Sequence, residues 1–200
     1  MRTLRLRYDG SELVVIDEVT YTPRSADNLR RYDHEYDLTD RWRVVSKHGV
    51  RLEGTEGSAS AMLLAGGGGS TVHPRSALIL GDALVVAVGH QLACIGLPRL
   101  ELRWSRRADS ATVFGVWRWN QKIIVHGEFE VSSWRSDGER DWSVSGADIF
   151  SEGFALENET AWAKDFEGRE YRWQLATGDE VLGPTGLPRL PRLPRNLGGG

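Results

Sequence analysis

The chain has 200 residues, 40% of them apolar, with a formal net charge of −3 and one cysteine. That apolar share supports a packed core and excludes a disordered chain, and the absence of a basic excess argues against a general nucleic-acid binder. A single cysteine excludes an internal disulfide and a cysteine-based zinc site. Twenty-three glycines and eight tryptophans, with little helical periodicity, suit many short strands joined by tight turns.

The first residues, Met1 to Arg7, alternate basic and apolar side chains without the continuous apolar stretch of a secretory signal. No stretch approaches the roughly 20 apolar residues of a membrane span, so no membrane partner is expected and the expected compartment is the cytoplasm. Residues 3–21 read as a hairpin. Leu4, Leu6 and Tyr8 alternate with Arg5 and Arg7, Asp9-Gly10 is a turn signal, and Leu13 to Ile16 then Val19 to Tyr21 return. The charged run 24–40 predicts a surface loop with one helical turn near Ser25-Ala26-Asp27. Trp42 to Val45 and Val50 to Leu52 predict two strands around Lys47-His48-Gly49, and Ala59 to Ala65 is a short apolar segment. Gly66 to Gly69 lacks the Lys-Ser/Thr ending of a phosphate loop and reads as a flexible linker or wide turn.

Repeats follow. Three segments, starting at Gly89, Gly127 and Gly168, each read glycine, strand, turn, strand; the first two end in Trp104 and Trp142, the third in Leu182. A strand pair precedes each: Ala77 to Val88 around Gly81-Asp82, Thr112 to Val125, and Phe154 to Ala163 around Glu157-Asn158-Glu159. Four strands per period of about 40 residues is the plan of a β-propeller blade. Cys94, in the run Leu92-Ala93-Cys94-Ile95, reads as a buried, inert thiol.

Leu78 to Trp104 resembles a repeat of the PQQ-like, quinoprotein-type propeller superfamily: strand, Gly-Asp turn, strand, Gly, strand, turn, and a strand ending in Trp. The resemblance covers about half of the chain and implies an all-β array of four-stranded antiparallel sheets, with no particular activity or cofactor. Three blades are legible, whereas a closed ring needs at least four; residues 1–65 either supply the rest or leave an open arc. The expected organisation is an N-terminal β region (1–65), a Gly-rich connector (66–75), the repeats (76–183) and a tail (184–200).

Candidate sites are few. His126, Glu128 and Glu130 are expected to share one strand face, where they could hold a divalent cation or a basic partner, with Phe129 and Val131 pointing to the core. Asp109 and Asp148 follow the blade-ending tryptophans at similar distances and are expected on one rim, either holding turns or serving acid–base chemistry together with His126 and Asp165. Trp104 and Trp142 are expected to pack between blades. Trp117 and Trp119 share parity on one strand and, with Trp134, are candidates for a binding surface.

The C-terminus carries Leu-Pro-Arg three times, from Leu187 to Arg195. A proline every third residue favours polyproline II, which places Arg189, Arg192 and Arg195 along one ridge. A flexible arginine-containing tail ending in Gly199-Gly200 resembles the tails of ubiquitin-like proteins, implying a conjugation role through the terminal carboxylate, although no β-grasp pattern accompanies it. The functional expectation is a non-enzymatic scaffold or binding module of bacterial type with a protein partner and no cofactor. The alternatives are a cation-dependent binder or hydrolase using the rim carboxylates, and a conjugation substrate or modifier.

Overall fold

The computed structural model describes residues 2–39, 43–54 and 57–181. The described residues contain no helix, so none is long and apolar enough to cross a membrane. The protein is all-β: four antiparallel-based sheets follow one another along the chain.

In the first sheet, β1 (Thr3–Tyr8) and β2 (Ser11–Asp17) form the expected hairpin. Asp9 and Gly10 both have positive φ, 45° and 76°, as the favoured two-residue hairpin turn requires. The run 24–40 is not only a loop, because β3 (His34–Asp37) lies within it and pairs in parallel with β5 (Gly57–Ala65). Nor does a helical turn form at Ser25 to Asp27. Lys47-His48-Gly49 is not a turn between two strands either: β4 (Ser46–Gly54) runs straight through it, and Trp42 lies outside the described residues. The resulting order is β1-β2-β4-β5-β3, a four-stranded meander with an added parallel edge. Residues 1–65 thus contribute a sheet of the same plan as the three repeats.

The second sheet is β6 (Ala77–Leu80), β7 (Ala83–Val88), β8 (Gln91–Gly96) and β9 (Glu101–Arg107). The third is β10 (Val113–Trp119), β11 (Lys122–Gly127), β12 (Glu130–Trp134) and β13 (Arg140–Ser145). The fourth is β14 (Gly153–Glu157), β15 (Thr160–Lys164) and β16 (Glu170–Gln174), beside which Asp179 to Val181 runs antiparallel through a bridge between Trp173 and Glu180. In the second and third sheets the two middle strands are buried almost throughout, and β9 and β13 are mostly exposed. Continuous apolar runs such as Ala83 to Val88 follow from burial on both faces of a stacked sheet.

Three clusters of buried side chains join neighbours in series. Val15, Leu63, Leu84 and Ile95 link the first sheet to the second. Val85, Cys94, Val116 and Ile123 link the second to the third. Ile124, Val131, Phe150 and Trp173 link the third to the fourth. The described sheets thus pack in series as an arc, and among the described residues no buried cluster joins the fourth sheet to the first. Burial pushes the Cys94 thiol up to about 11, consistent with an inert packing role.

The two outward faces of the arc are treated differently. On the first sheet, residues 18–36 cross the outward face, where Tyr21, Tyr32 and Val44 pack on Met62 and Leu64. Glu18 anchors this cover, accepting from the Tyr32 hydroxyl (2.7 Å) and pairing with Arg30 (3.0 Å). On the fourth sheet, strand alternation turns Glu157, Trp162, Lys164, Glu170 and Arg172 away from the core. There Arg172 pairs with Glu157 (3.4 Å), Lys164 with Glu170 (3.9 Å), and the Trp162 indole donates to Glu170 (3.3 Å). A polar outer face on a terminal repeat is what keeps a linear array soluble.

Aromatic clasps tie each outer strand to the next blade. The Trp104 indole lies against Gly138 and donates to the Ser136 carbonyl (2.9 Å); the Trp142 indole lies against Gly178 and donates to the Leu175 carbonyl (3.1 Å). Tyr36 on β3 makes the same connection from the first blade: its hydroxyl accepts from the Leu102 N–H (3.1 Å) and donates to the Leu100 carbonyl (3.1 Å). Trp104 pairs with Cys94 and Trp142 with Ser133, the fourth residues of β8 and β12. The fourth residue of β16, Trp173, pairs with Glu180, so the last blade carries a carboxylate where the others carry the clasp. Leu182, aligned with that position in the sequence, lies outside the described residues.

Candidate functional site

The two rims of the arc differ in construction. One carries tight hairpins: Asp9-Gly10, Gly81-Asp82, Asn120-Gln121 and Asn158-Glu159. The other carries the linkers between blades, 66–76, 108–112 and 146–152, together with the β7–β8, β11–β12 and β15–β16 turns. The buried polar side chains, apart from Ser132 and Ser133, all lie at or beside this linker rim.

Gly66 to Gly69 bends at Gly67 and Gly68, and close packing rather than flexibility accounts for its glycines. It is part of a close-packed junction where three segments meet. Gly67 (φ 81°) lies against His90 and the Ala111 carbonyl, and Gly89 (φ 56°) lies against the Gly66 carbonyl, so a side chain at either would collide with its neighbour. Hydrogen bonds close the junction: Gly68 N–H to the Ala111 carbonyl (2.8 Å), Ser70 N–H to Ser46 Oγ (2.8 Å) and Gly89 N–H to Ser70 Oγ (2.8 Å). His48 is fully buried beside Ser70; burial lowers its pKa, and nearby Asp17 only partly opposes that.

Asp109 is the next tie. Its Oδ1 accepts from the Ala111 N–H (2.7 Å), and its Oδ2 accepts from the N–H groups of Phe129 (2.9 Å) and Glu130 (3.0 Å) in the following blade. Burial raises its pKa while these three donors lower it. A methyl group at Gly127 would strike this carboxylate, which fixes glycine there. Asp148 does not repeat the arrangement, because its Oδ1 accepts from the adjacent Ile149 N–H (2.7 Å). Asp165 is buried; burial alone would raise its pKa, but the Arg169 N–H (2.8 Å), the Tyr171 hydroxyl (2.8 Å) and the Arg169 guanidinium (3.2 Å) hold it below the usual carboxylate range.

His126, Glu128 and Glu130 do not share a strand face. His126 is the next-to-last residue of β11, Glu128 is in the turn, and Glu130 opens β12, so side-chain alternation does not carry across them. His126 faces the fourth blade, stacked on Phe154 (4.6 Å, 9°) and near Trp117 (6.1 Å) and Phe114 (5.3 Å). Its Nε2–H donates to the Phe150 carbonyl (3.0 Å), and burial lowers its pKa to about 4, so it is neutral at pH 7. Glu130 bonds Ser143 (2.6 Å) and pairs with Arg140 (3.2 Å). Among the described residues no group of three or more His, Cys, Asp or Glu is arranged to hold a metal ion.

Trp117 and Trp119 do share a face and pack toward the fourth blade, with Arg75 over the Trp117 ring (5.4 Å) and Lys122 over Trp119 (5.9 Å). Trp134 is buried and donates to Ser132 Oγ (2.8 Å), which removes it as a surface candidate. The tail residues Arg189, Arg192, Arg195, Gly199 and Gly200 lie outside the described residues.

Two residues that sequence patterning missed stand out on the linker rim. Phe129 does not point to the core; it sits in the β11–β12 turn and is 42% exposed. Phe166, in the equivalent β15–β16 turn, is 62% exposed. The turns are neighbours: the Phe150 N–H donates to the Glu128 carbonyl (2.8 Å) and the Phe166 N–H to the Ile149 carbonyl (2.9 Å), so the linker Ile149-Phe150 lies between them. Of the other exposed large apolar side chains among the described residues, Val19 and Val45 also lie on this rim. The detectable signal was the repeat itself, since both phenylalanines fall between the second and third strands of their blades.

No protein-family model matches the chain, and no curated protein does. Solved structures match in fold. BamB from Moraxella catarrhalis is similar over 90% of this chain and 65% of its own, at 11% identity and TM-score 0.51. The AfRom2 CNH domain is similar over 90% and 53%, at 10% identity and TM-score 0.50. The computationally designed Ika8 protein is similar over 70% and 45%, at 12% identity and TM-score 0.50. The chain therefore spans between about half and two thirds of these structures, and the likeness establishes a β-propeller-type fold.

Proposed function

We propose that the chain is a non-enzymatic binding module that engages a protein partner through the linker rim of its third and fourth blades. The observation that carries this reading is the pair Phe129 and Phe166, exposed on adjacent, backbone-tied turns of consecutive blades. Large aromatic side chains of this kind are the usual anchors of protein interfaces. Rim residues that could do chemistry have structural work: Asp109 holds three backbone N–H groups, and His126 is neutral and bound to a carbonyl. The blade pattern from Leu78 to Trp104 supports placing the protein with the quinoprotein-type branch of the propellers, without a cofactor.

Selection of peptides from a random display library on the full-length chain tests the reading. Binders should lose at least about tenfold in affinity, the scale of one hot-spot residue, when Phe129 and Phe166 become Ser. Binders that ignore both substitutions would place the binding surface elsewhere.

A further inference from the structure

Resting on that reading of the rim, we propose that the patch around Phe129 and Phe166 is a docking site for the chain's own Leu-Pro-Arg segment, residues 187–195. The charges around the patch are one-sided. Glu128 flanks Phe129, Asp148 and Glu152 lie on the intervening linker, and Glu167 follows Phe166. Among the described residues none of these four carboxylates is in a salt bridge, whereas the neighbouring cations Arg140, Lys164 and Arg169 are held by Glu130, Glu170 and Asp165. Two exposed phenylalanines on neighbouring turns thus have an acidic border, and the site suits a ligand that alternates apolar and basic side chains. Residues 187–195 have that composition three times over.

Position and reach agree. Asp179 to Val181 runs antiparallel to β16, and β16 starts at the linker rim, so the chain leaves the fourth blade heading toward that rim on the blade that carries Phe166. The residues between Val181 and Leu187 can span roughly 20 Å when extended. In a polyproline II helix of three residues per turn and about 3.1 Å rise, the leucines form one ridge with about 9 Å between neighbours, and the arginines form another. Packed sheets lie about 10 Å apart, so consecutive leucines match the spacing of consecutive blade turns. One leucine meets each phenylalanine while the arginine ridge faces the carboxylates.

Fluorine NMR of the full-length chain labelled with fluorophenylalanine tests this. The chain has five phenylalanines, each assignable by single substitution. Arg189, Arg192 and Arg195 changed together to Ala should move the Phe129 and Phe166 signals and leave those of Phe114, Phe150 and Phe154 in place. Salt should move the same two signals in the same direction, and dilution should not alter them. The free peptide of residues 187–195 should bind the triple variant at least about tenfold more tightly than the wild type, because the tethered copy no longer competes at millimolar effective concentration. Unmoved Phe129 and Phe166 signals, or shifts that vanish on dilution, overturn the docking. If peptide selection still depends on Phe129 and Phe166 in that case, the rim reading stands and only the tail's role falls.

Discussion

The hairpin rim and the linker rim are built from the same strands yet follow different physics. On the hairpin rim, two-residue turns close the first strand pair of each blade locally and ion pairs such as Asp82 with Arg103 (2.7 Å) are exposed, while the longer β8–β9 and β12–β13 turns receive the half-buried clasps of Tyr36 and Trp104. On the linker rim, buried side chains serve donors from other blades: Asp109 reaches Phe129 and Glu130, and Ser70 reaches Gly89. Removing an exposed pair returns its partners to water; removing a buried acceptor strands its donors. The buried polar ties between blades are therefore concentrated at the linker rim, while the half-buried aromatic clasps tie blades at the hairpin rim, and the linker rim displays the exposed phenylalanines.

The largest expected effect is at Asp109. Asp109→Ala leaves three backbone donors without their acceptor and should cost about 3–5 kcal/mol in denaturant unfolding. Asp82→Ala, on the opposite rim, should leave the melting temperature indistinguishable from wild type. Equal effects at the two sites would erase the distinction between the rims.

The next effect is in the pH dependence. His126 has a folded pKa of about 4 against about 6.5 unfolded. Both states are neutral at pH 7. As pH falls below about 6.5 the unfolded chain gains a proton that the folded chain refuses, so stability falls until about pH 4 and this contribution then levels off. The loss over that window is about 3 kcal/mol. His126→Phe should remove that part of the slope, and an unchanged slope would show that the imidazole titrates freely in the folded protein.

The clasps come third. Trp104 and Trp142 are half-buried, so replacing each by Ala should cost about 2–3 kcal/mol, below the 3–5 kcal/mol of a fully buried aromatic. Tyr36→Phe removes two hydrogen bonds and should cost about 1–2 kcal/mol. Urea midpoints for the three variants would show whether the first sheet is tied to its neighbour as the later blades are.

What the sequence conveyed follows from which patterns are local. Hairpins with alternating apolar residues and Asp-Gly or Gly-Asp turns, as in residues 3–17 and 77–88, were legible because turn and period lie side by side. β3 was hidden because His34-Glu35-Tyr36-Asp37 has a single apolar residue, and its partner strand begins twenty residues later. Lys47-His48-Gly49 looked like a turn, yet Gly49 is there because the Tyr32 ring lies over it and His48 because the junction buries it. Phe129 patterns as a core residue because the turn falls one residue later than Gly127 suggests. The Gly66 to Gly69 run reads as flexible for a related reason: close approach of distant segments selects glycine as strongly as flexibility does.

The smallest expected change in stability gives the most direct test of the rim's role. Phe129→Ser and Phe166→Ser together remove exposed side chains that no buried cluster contains. The melting temperature of the full-length double variant, measured beside its affinity for rim-selected peptides, should stay at the wild-type value while affinity falls at least about tenfold. A melting temperature several degrees lower would make these phenylalanines structural, and retained affinity would move the binding surface off the linker rim.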